Sequence, residues 1–163
     1  MTRTWLYDFA LCLHLIGAFS LVSGTVLAGV SFEMARHRAR SAEVAVLLGL
    51  ARIGAVLVIG GIVFVGSFGL WLVDLGHWGY ATPWVDAAIG LLLLVVVAGA
   101  LGGQPPKRAR RLASDLAQDD RPIDDEVHSL LNDRGARLLN YGAAAALVAI
   151  IVLMVVKPGS PHH

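Results

Sequence analysis

Cysteine occurs once in the 163 residues, at Cys12, so an intrachain disulfide is excluded and the redox compartment is left unmarked. Charge is scarce as well. Asp, Glu, Lys and Arg make up 15% of the chain, against roughly 25% in an ordinary soluble domain. No basic patch stands free of acidic residues and the net charge is only +1, which argues against a nucleic-acid partner. The chain lacks a Gly-rich phosphate loop after a strand, a nucleophile elbow, an H-E-x-x-H helix and a paired-cysteine motif. It also lacks the period-2 alternation of a barrel strand.

Apolar sequence fills the space that charge leaves. Hydrophobic residues are 56% of the chain and the mean hydropathy is +0.69. The length is that of one domain, taken as a single membrane domain over 1–163. Four apolar runs stand out, at about 9–30, 53–73, 84–103 and 138–156. Each is roughly 20 residues, the length at which a helix crosses the hydrocarbon core. Only helices and closed barrels satisfy their backbone groups in lipid. The expected fold is therefore all-α, a polytopic bundle of four transmembrane helices. Arg3 ahead of the first run resembles a signal peptide, but the run is too long for one and carries Asp8 and His14. His162 and His163, after Gly159-Ser160-Pro161, are set aside from site reasoning.

Basic residues give an orientation. Arg36, Arg38 and Arg40 lie in the first loop, 31–42, and Arg52 sits at the start of the second helix. Lys107, Arg108, Arg110, Arg111, Arg121, Arg134 and Arg137 lie in the second long loop, 104–137. The opposite side holds only Arg3 and Lys157. Lys and Arg collect on the cytoplasmic side, so both termini are expected outside and the protein in a bacterial plasma (inner) membrane. Trp5, Tyr7, Trp71, Trp78, Tyr80 and Trp84 then fall near the outer interface, where amphipathic rings settle. In the 104–137 loop, Pro105-Pro106 reads as a breaker after the third span. Ile123, Val127, Leu130 and Leu131 predict a short amphipathic helix after Pro122, on the membrane or under the bundle.

Helices associate in lipid through close contact between small residues. His14, Gly17, Leu21, Gly24 and Ala28 form one stripe on the first helix. The second helix offers Gly54, Gly60, Gly61, Gly66 and Gly69. Such faces also make a homodimer plausible. The stripe turns His14 into the bundle, and Cys12, about 200° away, elsewhere.

His14 is the sharpest candidate for chemistry, because an ionisable side chain within a membrane helix reads as functional. Its alternative is a neutral imidazole hydrogen-bonded to a neighbouring helix. Asp8, Asp74, His77 and Asp86 join it on the outer side. A metal site from His14, His77 and Asp86 would suit zinc or copper, and His14 could serve as axial ligand to an iron porphyrin such as haem b. Pairing His14 with His77 on one haem requires the loop beyond the second helix to fold back. Asp74 and His77 in a loop, like His37 and His128, are otherwise explained by solvation.

Two stretches carry a resemblance. The first helix has L-H-L-I-G-A at Leu13 to Ala18, followed by Ser23-Gly24, and the fourth closes with L-M-V-V-K-P, Leu153 to Pro158. Gly69 to Leu72 reads G-L-W-L ahead of a short loop and Trp84. The chain resembles a family of predicted bacterial integral membrane proteins of unknown function. It is more distantly similar to the copper-resistance D membrane family and to the haem-binding protoporphyrinogen oxidase family. The last resemblance implies a haem ligand at His14. The lysine which that family carries after a third-helix tryptophan has no counterpart in Trp84-Val85-Asp86-Ala87-Ala88.

Three function classes remain. One is a non-enzymatic membrane protein acting through membrane partners, as a small subunit or assembly factor. Another is a haem- or metal-binding protein using His14, with a redox role as one form of it. The third is a small transporter, for which the middle of the second to fourth helices supplies no polar group.

Overall fold

The computed structural model describes residues 2–76, 82–119 and 121–156. Six helices follow in order: α1 (Thr2–Arg36), α2 (Ser41–Leu75), α3 (Pro83–Gly102), α4 (Gln104–Gln118), α5 (Asp125–Leu131) and α6 (Arg134–Val156). Among the described residues there is no strand. Four helices are long and apolar enough to cross a membrane. Only 22–28% of each apolar window is buried within the protein. The remaining apolar surface, including Phe19, Val26, Leu93 and Val155, is what a lipid-facing exterior requires.

The first two helices outrun the bilayer. Each has 35 residues and so measures roughly 52 Å at helical rise, against a hydrocarbon core of about 30 Å. The link between them is confined to residues 37–40. The expected loop of residues 31–42 is thus mostly helix. Its charges obscured the apolar residues that continue the buried face past the membrane: Phe32 and Ala35 on α1, Val44 and Leu48 on α2.

Along the membrane, α1 and α2 are antiparallel and held backbone to backbone. Glycines pair across the seam, Gly17 with Gly61 and Gly24 with Gly54. A Cβ on Gly24 would lie 2.6 Å from the Gly54 carbonyl oxygen, and one on Gly61 would lie 2.8 Å from the Gly17 carbonyl oxygen. On both helices the two glycines are one heptad apart, the spacing that keeps a seam in register under a left-handed supercoil. The Ser20 hydroxyl donates to the Leu57 carbonyl at 3.1 Å on the same seam.

The second closely packed pair is α3 with α6. The side-chain amide oxygen of Asn140 lies beside Gly102, 2.9 Å from where a Cβ would be. The two pairs meet through side chains: Leu21 and Val65 from one, Val95, Ala146, Leu147 and Ile150 from the other.

The 104–137 segment holds two helices, one more than expected. Pro105 and Pro106 begin α4 rather than break the chain, since proline suits the first helical turn, where its missing N–H is not needed. Ala109, Ala113 and Leu116 recur at i, i+4 and i+7 as the buried face of α4. The short helix after Pro122 is α5. The Asp124 carboxylate caps it, accepting from the Val127 amide at 3.0 Å. Asp133 caps α6 in the same way through the Ala136 amide, at 2.6 Å. Together α4, α5 and the ends of α1 and α2 enclose a second apolar core that includes Phe32, Val44, Leu48, Ala113, Val127 and Leu131. Ile123 and Leu130 pack against it, so α5 lies under the bundle.

Polar bonds tie this cap to the long helices. The Ser41 hydroxyl donates to the Arg121 carbonyl at 2.6 Å. Arg36 donates to Glu33 at 2.8 Å and to the Asn132 side-chain oxygen at 2.9 Å.

Candidate functional site

His14 sits on the seam face of α1, one turn before Gly17, and its side chain is buried. The ring rests against α2 where that helix has no side chain: a Cβ on Gly69 would lie 3.1 Å from the His14 Cε1 and 3.2 Å from Nδ1. Glycine at 69 therefore makes the slot that the imidazole fills. The Nδ1 lies 3.1 Å from the Val65 carbonyl oxygen. A carbonyl only accepts, so Nδ1 carries the proton and donates. In the neutral ring this leaves Nε2 with its lone pair, able to accept a hydrogen bond or to bind a metal. An Nδ1–H to backbone carbonyl bond is also the usual way a ligating histidine is held in one tautomer and orientation.

Of the other sequence candidates, those the structure describes lie exposed. Asp86 is exposed in the first turn of α3, its amide bonded to the Thr82 carbonyl at 3.2 Å. Asp8 and Asp74 are exposed too, and His77 lies outside the described residues, as do Trp78, Tyr80 and Lys157. Among the described residues no three His, Cys, Asp or Glu side chains come together as a metal set. Cys12 is exposed, as its angular position requires. Trp84, expected at the interface, is buried with Val73 and Val85 between α2 and α3. Trp5 is exposed, stacked on Phe9 at 5.7 Å.

The sequence placed His14 on the inward stripe but did not reveal its partners. A backbone carbonyl such as that of Val65 leaves no mark in a sequence. Gly69 stood among five glycines of the second span, and its signal was position alone: one turn beyond Val65, opposite His14.

Of the candidate side chains among the described residues, His14 is the one buried inside the bundle. No curated protein and no solved structure matches the chain. One family model does, over residues 9–158, and its span takes in α2–α6 whole and most of α1. The chain is an integral membrane protein belonging to the family described as predicted integral membrane protein, DUF2269.

Proposed function

We propose that this is a non-enzymatic membrane protein that acts through membrane partners, presenting a folded, highly charged cap on the cytoplasmic face. The supporting observation is that cap. Its core is formed jointly by α4, α5 and the extensions of α1 and α2, and a preformed surface binds without first being ordered. The basic-residue count supports a cytoplasmic position for the cap. A photo-crosslinking residue at exposed Arg111 or His128 in intact cells tests this. Discrete adducts with one identified protein, not formed from lipid-facing Val155, are expected. Lipid adducts alone from every cap position would overturn the reading.

A second reading rests on the His14 geometry. The Nδ1–Val65 bond and the Gly69 slot leave Nε2 as a ligand, and haem b or a copper or zinc ion is the group it would bind. Bound haem would supply redox chemistry, while His14 would hold the iron and α2 would fix the ring's orientation. The protein purified from haem- and copper-replete cells should then show a Soret band or bound metal that His14→Ala loses. A colourless, metal-free preparation would end this reading and leave the first intact.

A further inference from the structure

Where α2 leaves the membrane on its basic side, an open groove of about 590 Å³ runs between α2 and α4. Its volume falls within the roughly 300–1,000 Å³ of small-molecule sites. The floor comes from one face of α2: Gly49, Leu50, Ile53 and Val56. Leu50, Ile53 and Val56 are exposed, although nonpolar. Gly49 deepens the floor, because a Cβ there would meet nothing within 4 Å. Arg52 of α2 and Arg110 of α4 form the rim.

Neither arginine has an ion-pair partner among the described residues, unlike Arg36 and Arg38, which pair with Glu33 and Glu43. Arg52 stands where the apolar run of α2 ends, at the level of lipid headgroups. Leu50 and Ile53 flank it, and Val56 lies one turn deeper in the hydrocarbon.

We infer that this groove is a binding site for one anionic phospholipid of the leaflet on the basic side. The Arg52 and Arg110 guanidiniums receive the phosphate, and an acyl chain lies along Leu50, Ile53 and Val56. Two guanidiniums suit a phosphodiester, since each offers forked donors to its oxygens. The apolar floor adds what a free phosphate would not need. A zwitterionic lipid brings its own cation to the rim and should be held less well.

The test uses the full-length protein in a neutral detergent, with bound lipid counted by native mass spectrometry. The probes are dioleoyl phosphatidylglycerol, dioleoyl phosphatidylcholine and inorganic phosphate. The wild type should prefer phosphatidylglycerol, and excess inorganic phosphate should not displace it. Arg52→Gln with Arg110→Gln should weaken phosphatidylglycerol binding about 30-fold, at roughly fivefold per basic group near a membrane surface. Gly49→Phe should weaken it comparably with both charges kept. This second variant fills open space and replaces a helix-interior glycine, so it leaves the fold intact and decides the matter if the double variant does not fold. Equal retention of the two lipids, or unchanged binding in Gly49→Phe, would overturn the site. Full displacement by phosphate at millimolar concentration would overturn a lipid as its occupant.

Discussion

The molecule has two interiors, built by different means. In the cap the core is sealed by bulky aliphatic side chains: Val44, Leu48, Val127 and Leu131 are the largest fully buried residues of the described chain. In the membrane the tightest contact, between α1 and α2, is made where side chains are missing, at Gly17, Gly24, Gly54 and Gly61. The solvents account for the difference. Water drives apolar side chains together around the cap. Lipid tails are as apolar as leucine, so helices within the bilayer gain from close backbone approach and from interhelical hydrogen bonds instead.

Substitutions that exchange the two strategies should break the comparison, and the largest effect is expected on the seam. Gly54→Leu would place a Cβ 2.7 Å from both the Ala28 nitrogen and the Gly24 carbonyl oxygen, and only separation of the helices relieves that. The expected loss lies at or beyond the roughly 4–5 kcal/mol that marks the exceptional end of single substitutions. Detergent-solubilised protein should elute as aggregate, and a monodisperse peak with unchanged thermal stability would refute the seam. Next comes the cap. Leu131→Ala removes a fully buried side chain and should cost about 2–5 kcal/mol. Limited proteolysis should then cut between α4 and α6 while α1 and α2 stay associated, so simultaneous loss of both regions would show that the two interiors are one cooperative unit.

Smaller effects sharpen the picture. His14→Ala removes one interhelical hydrogen bond and should cost about 0.6 kcal/mol, the mean for such bonds in membranes, and at most about 1.7, read as a fall in thermal unfolding midpoint in detergent. Gly29→Ala should be the mildest change. Gly29 lies on α1 but faces open space, so removing a helix-interior glycine should leave stability unchanged or raised by up to about 1 kcal/mol. A large loss there would mean that glycine content, rather than the placement of the seam glycines, holds α1.

The sequence was most legible where one physical rule acted alone. Four apolar runs announced four spanning helices, and the small-residue stripe from His14 to Ala28 announced the α1 face that meets α2. The cap was harder because rules competed. Arg36, Arg38 and Arg40 suggested a longer loop than the link at 37–40, yet Phe32 and Ala35 keep helical spacing before it and Val44 and Leu48 after it. Pro105-Pro106 suggested a stop and is a start. At the candidate site the imidazole and its facing direction were readable, whereas the carbonyl it bonds and the glycine that admits it depend on the register between two helices, which pairwise packing alone decides.

A last consequence follows from the length of α1 and α2. Two unbroken rods clasped along their shared edge stiffen each other, so α4 and α5 rest on a support that runs without a break from the opposite end of the bundle.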